Sequence, residues 1–290
     1  MARNIDWNAV ASEMKQSSEK KKFVREVDPN LYEPKLVDGS ADVIVRFLPA
    51  PENESVQIAT VYSHSFEVNG KWLIKKCPAS LGRTHKCPVC EYSSSKWIRN
   101  AQPGSDDEFR NKETVKQFKK ASYYLNVLII KDVNTPENNG TVKIMRIPKK
   151  VYAKILNKMS PSEDDGDEPS PVLDFLKGSN FKLKIRSKKV PGYQNLQRDY
   201  DLSEFSSPSP LGDEKFINEI DKKLISLKFY IEGDIETYEK LQGNLDRVLG
   251  VTTQSSSGQA QERSSSSSPV AGVVESDDAE EEFLRKLREG

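Results

Sequence analysis

All three cysteines of the chain, Cys77, Cys87 and Cys90, fall within fourteen residues, and its two histidines, His64 and His85, stand close by. Thiolate sulfur and imidazole nitrogen are the donors that a four-coordinate zinc ion favours, and a Cys-x2-Cys pair on a tight turn offers two sulfurs to one ion. Cys87-Pro88-Val89-Cys90 is such a pair. Three cysteines and one histidine complete a tetrahedral set, and the histidine is His64 or His85. His85 must share the short loop with the Cys87 to Cys90 turn, whereas His64 can arrive on a separate strand, so spacing favours His64. A site closed by four protein ligands keeps no position for a reactive water and braces a fold instead of doing chemistry. Neither a His-Glu-x-x-His helix nor the His-x-Glu and Pro-Cys-x-x-Cys pattern of zinc deaminases occurs, since Lys86 precedes Cys87. A zinc hydrolase would have only Glu67 and Glu91 as nearby carboxylate bases.

The second chemistry-bearing pattern is charge. The formal net charge of the 290 residues is zero, yet it is segregated: residues 110–200 carry 19 basic and 10 acidic groups, and residues 201–290 carry 10 and 19. A basic middle is the footprint of a polyanion site, and an acidic end is what an intramolecular competitor for that site looks like. The basic stretch is interleaved with aromatic residues: Lys119, Lys120, Tyr123 and Tyr124, then Arg146 and Tyr152, then Arg186 and Tyr193, then Arg198 and Tyr200. Cations suit phosphates and flat rings suit unstacked bases, the pairing that single-stranded nucleic acid requires. Strand neighbours alternate faces, so at most one of Tyr123 and Tyr124 reaches a base.

These residues need elements to hold them. Val43, Val45 and Phe47 alternate with Ile44 and Arg46, and further short strands are expected over 57–64 and 71–75 around an Asn69-Gly70 turn. Residues 101–113 read as a loop, 122–130 as the strongest strand, 142–147 as another, and 151–159 as a helix. The segment 181–186 alternates apolar and basic residues. Two helices should close the folded part, one carrying Phe216, Ile220, Leu224, Leu227 and Ile231, the other Ile235, Tyr238, Leu241, Leu245 and Val248. The fold class expected is mixed and mainly β: an oligonucleotide-binding (OB) barrel with a zinc-ribbon-like subdomain over about 60–120, within a core spanning 31–250. Residues 1–30 read as a basic, helical N-terminal arm, and 251–290 as a serine-rich linker and disordered acidic tail. No signal peptide and no run of eighteen apolar residues is present, so a cytoplasmic protein without a membrane partner is expected.

The order His64, Cys77, Cys87-Pro88-Val89-Cys90 resembles that of the single-stranded DNA-binding, helix-destabilising proteins of T-even-like bacteriophages. So do the run from Ala41 to Pro49, Asn69-Gly70-Lys71-Trp72, Ser122-Tyr123 with Asn126 and Lys131-Asp132, Pro136-Glu137-Asn138, and Gly178-Ser179-Asn180-Phe181. The resemblance runs from about Ala41 to Gly250. It implies a zinc ion held by His64 in preference to His85, with Cys77, Cys87 and Cys90. It also implies a barrel whose groove holds single-stranded DNA, an N-terminal arm (residues 1–30) that supports cooperative binding of the protein to itself along the lattice, and an acidic tail that recruits phage replication and recombination proteins. The expected setting is the cytoplasm of the infected bacterial host, with roles in replication, recombination and repair and no enzymatic activity. The DNA-binding residues expected are Arg46, Lys119, Lys120, Tyr124, Arg146, Arg186, Tyr193 and Tyr200. The alternative function is a zinc-containing, RNA-binding translational regulator; no residue pattern here reads a 2′-hydroxyl.

Overall fold

The computed structural model describes residues 28–68, 70–162, 168–191 and 195–251. Residues 1–27 of the expected N-terminal arm, residues 252–290 of the expected linker and acidic tail, and Tyr193 lie outside them. The centre is strand β2 (Ser40–Leu48), flanked by β5 (Lys120–Asp132) and β7 (Ser179–Lys188), both antiparallel to it. The period-2 pattern sends Val43, Val45 and Phe47 of β2, Leu125, Val127 and Ile129 of β5, and Phe181, Leu183 and Ile185 of β7 into one core. Helix α3 (Lys149–Met159) adds Val151 and Ile155 to that core.

The sheet runs β1 (Leu31–Tyr32), β6 (Val142–Ile147), β5, β2, β7, β8 (Gln197–Asp199), with β3 (Ala59–Val68), β4 (Lys71–Lys76) and β9 (Glu204–Pro208) branching from it. Among the described residues the sheet is not closed into a barrel, which corrects the closed OB barrel expected from the sequence. The reason lies in how edges are shared. One edge of β5 pairs with β3 over residues 120–124 and with β2 beyond them, so the sheet splits there. The outer edge of β7 is likewise divided between β8 and β9. The end strand β1 is two residues long and pairs parallel to β6.

Two element boundaries also differ from expectation. Within the segment read as loop, helix α2 (Asp106–Val115) forms. Its N-cap Ser105 accepts a hydrogen bond from the Glu108 N–H, a first-turn donor, and the Glu108 carboxylate reaches back to accept one from the Gly104 N–H just before the cap at 2.6 Å. The first of the closing helices is interrupted into α4 (Glu214–Asp221) and α5 (Lys228–Glu232). The Asn126 side chain takes both backbone groups of Ile225 at 2.9 Å, and buried Glu54 accepts from the Leu227 N–H at 3.0 Å and from the Ser226 hydroxyl. These side chains outcompete helical hydrogen bonds and lay residues 225–231 as a strap across β3 and β6, where Leu227 and Tyr230 pack on Ala59, Val61 and Ile144.

Candidate metal centre and nucleic-acid interface

The hairpin β3–β4 pairs from Ser63 with Lys76 to Val68 with Lys71 and turns through Gly70 at φ 73°, which a glycine adopts without strain. It presents His64 from β3 and delivers Cys77 immediately after β4. Cys77 opens the 3-10 turn Pro78–Leu81, and Cys87 caps helix α1 (Pro88–Ser95), whose first position is Pro88. Cys90 therefore sits in the first turn of α1, where proline is tolerated and the helix dipole favours negative sulfur.

One donor atom from each of His64, Cys77, Cys87 and Cys90 lies within 4.8 Å of all the others. The His64 Nε2 is 3.4 Å from the Cys87 Sγ and 3.6 Å from the Cys90 Sγ, and the Cys77 and Cys90 sulfurs are 3.5 Å apart. Tetrahedral zinc with ordinary metal–ligand bonds separates its donors by roughly 3.5–3.8 Å, so the set fits that ion. His64 Nδ1 faces the Gln117 carbonyl at 3.3 Å; donating there fixes the tautomer that leaves Nε2 available. Hydrogen bonds from the Cys77 and Cys90 thiols hold the Cys87 thiol far below its usual range, whereas its bond with Cys87 pushes Cys77 up to about 12. Three thiolates in this space need a cation to coexist. His85 is exposed and outside the cluster.

The expected DNA contacts among the described residues separate into four groups. Tyr124, Arg146 and Tyr200 are brought together as walls of one open cleft of about 570 Å³, which Lys149 and Arg198 also line. Tyr124 stands directly opposite Arg146 in the β5–β6 register. One face of its ring stacks on Tyr230, 5.2 Å between centroids. Lys119 and Lys120 lie at the start of β5 outside this lining; the Lys119 Nζ sits 4.7 Å over the Tyr62 ring, and Lys120 is exposed opposite Ser63. Arg186 is not part of the cleft lining, and its Nη2 donates to both carboxylate oxygens of Asp42 at 2.8 and 3.0 Å. Arg46 has no exposed surface: its guanidinium donates to the carbonyls of Asp174, Phe175 and Ser209. A phosphate contact by Arg46 is therefore corrected to a role in the core. Its face of β2 is covered by the 174–178 turn and by the chain after β9, which strand periodicity alone does not reveal.

Sequence reasoning gave Ser122 a place in a family motif but no role in the site; it is buried and accepts a hydrogen bond from Arg146 Nε at 3.1 Å. Its position two residues from Tyr124 was the available signal, because alternate residues share a face. Nor did it associate α6 (Tyr238–Leu249) with the metal centre. Leu241, Leu245 and Val248 pack in the same cluster as Cys77, Cys87 and Val89, and Tyr238 donates to Glu91 at 2.7 Å.

A family model described as gp32 DNA binding protein like matches residues 38–249, from just before β2 to the end of α6. Proteins named single-stranded DNA-binding protein from Enterobacteria phages T2 and T4 are each 32% identical to the chain over 213 residues, 73% of this chain and 67% of the relative. A protein of the same name from Enterobacteria phage RB70 is 34% identical over 86 residues, 30% of this chain and 67% of the relative.

Proposed function

The chain belongs to the gp32-like family of DNA-binding proteins, and on that premise we propose that it is a non-enzymatic, sequence-nonspecific single-stranded DNA-binding protein of a T4-like phage. The observation that carries the reading is the family match over nearly the whole described core. The cleft supports it. Arg146 and Lys149 offer charge to phosphates, and the exposed sides of Tyr124 and Tyr200 offer surfaces on which bases stack, each stack being worth about 1–3 kcal/mol and nearly indifferent to base identity. Lys119 and Lys120 would extend the basic track, with Arg186 and Tyr193 as further contacts.

One zinc ion per chain would be held by His64, Cys77, Cys87 and Cys90. It would supply structural cross-linking of β3, the turn after β4 and α1, without reactive chemistry. The protein opens duplexes by mass action, binding the single-stranded state and shifting the equilibrium toward it. Residues 1–30 support cooperative binding along the lattice, and residues 251–290 recruit replication and recombination proteins in the host cytoplasm, placing the protein in phage replication, recombination and repair. Among the described residues no helix is long and apolar enough to cross a membrane.

Fluorescence titration with oligo(dT) and oligo(rU) of equal length, across a salt series, tests the reading. The expected result is tighter binding to DNA and an affinity that falls with salt by about 0.7 log units per log unit for each phosphate neutralised. Salt-independent binding would remove the phosphate track, and preference for the RNA strand would return the translational-regulator reading.

A further inference from the structure

Arg146 differs from the other arginines around the sheet in what its guanidinium has left to offer. Arg46 is enclosed by carbonyls, Arg186 is engaged by Asp42, and Arg198 pairs with Glu33 at 3.0 Å. Arg146 makes one hydrogen bond among the described residues, from Nε to the Ser122 hydroxyl, which leaves both terminal nitrogens uncommitted at the cleft wall. Ser122 is 7% exposed, and its hydroxyl has Arg146 as its partner across the β5–β6 ladder. Ser122 precedes by two residues, on the same strand face, Tyr124, whose register partner is Arg146.

We propose that Ser122 is a positioning residue for phosphate recognition: by holding Nε, it turns the two terminal N–H groups of Arg146 into a pre-oriented fork for one phosphodiester of the strand in the cleft. The inference rests on the single-stranded DNA reading of that cleft. A long arginine side chain loses rotamer freedom when it engages a ligand, and an anchor made in the free protein removes part of that cost before binding. The planar fork matches two phosphate oxygens, so orientation carries specificity that a lysine, a point charge with no Nε, cannot use.

The test is a double-mutant cycle in the full chain, read by oligo(dT) titration over a salt series together with thermal unfolding. Arg146→Ala should reduce the salt slope by about 0.7, the loss of one phosphate contact. Ser122→Ala should weaken binding by roughly three- to ten-fold with the slope retained, because the contact persists without its anchor. Ser122→Thr should restore most of the affinity. Ser122→Ala should have no further effect on binding in an Arg146→Ala or Arg146→Lys background. A purely structural Ser122 would lower unfolding temperature and weaken binding equally in every background, which would overturn the inference. An Arg146→Ala effect accompanied by wild-type affinity in Ser122→Ala overturns the anchor while the DNA reading stands. Unchanged affinity and slope in Arg146→Ala would remove the cleft wall itself from the DNA track.

Discussion

At Arg46 a cationic side chain could have served either a phosphate or the core, and the number of carbonyls around it decides. Three backbone oxygens accept from one guanidinium, and Gly178 lies so close that a Cβ there would sit 2.9 Å from the Arg46 Nη2 and 2.4 Å from the Asp174 carbonyl oxygen. Arg46→Ala should therefore lower unfolding stability by about 2–4 kcal/mol, the loss of charge-assisted hydrogen bonds plus the cost of orphaned carbonyls. The salt slope of DNA binding should stay at its wild-type value under folding conditions. Denaturant unfolding and titration read the two effects separately; wild-type stability with a reduced slope would return Arg46 to the DNA. The contrast with the proposed metal ligands explains what was legible at this scale. Cys77, Cys87, Cys90 and His64 announce themselves because zinc coordination demands particular atoms at short loop spacing. A phosphate accepts any exposed cation, so Arg46, Arg146 and Arg186 are alike in sequence and are told apart only by the carbonyls, serine and aspartate that the fold places beside them.

The elements show the same division between local and distant causes. The alternation in β2 and β7 was readable because period 2 with one apolar face is a local property, and the core side chains follow it. Helix α2 was also readable in principle, since Ser105-x-x-Glu108 is a capping box, but its mostly polar sequence hides it from an apolar-periodicity test. The break between α4 and α5 was not readable, because Asn126 and Glu54 that cause it lie 99 and 173 residues from the backbone groups they claim. The most consequential distant contact is α6 on the metal centre. Leu245 is buried among residues flanking Cys77 and Cys87, so Leu245→Ala should cost about 2–5 kcal/mol through the cavity it leaves. Linkage requires the reverse effect too: a helix that stabilises the metal-bound arrangement is itself stabilised by the metal. Leu245→Ala should release zinc faster to a chelator, and chelation of the wild-type protein should raise amide exchange in residues 238–249 before it does so in β2 or β7. Simultaneous loss of protection throughout the core would show that the metal centre and the central sheet unfold as one unit.

For the whole molecule the question is what the segregated charge does once the core has used part of it. Several cations of the basic middle are already paired on the surface of the folded part: Lys150 with Asp201, Lys182 with Glu204, Arg186 with Asp42, Lys188 with Asp199 and Arg198 with Glu33. Such exposed pairs contribute little stability, yet they lower the field that a DNA strand meets. The acidic excess of the last ninety residues is likewise divided, with 11 acidic and 6 basic groups in residues 201–250 and 8 acidic and 4 basic groups beyond Gly250. The part proposed to compete with DNA is therefore the smaller, terminal share, and its attachment through a serine-rich sequence should raise its effective concentration near the cleft. Truncation after Gly250 removes a net charge of −4 and leaves the remaining chain at +4 from an overall zero. The truncated chain should bind oligo(dT) more tightly at low salt and melt duplexes more readily, and the advantage should shrink as salt screens tail and DNA contacts alike. Paired titrations of full-length and truncated protein at low and moderate salt measure this directly. Equal affinities at low salt would show that the terminal acidic groups do not reach the cleft, while a difference that persists undiminished at moderate salt would point to a contact made by the tail's apolar residues, Phe283, Leu284 and Leu287, and not by its charge.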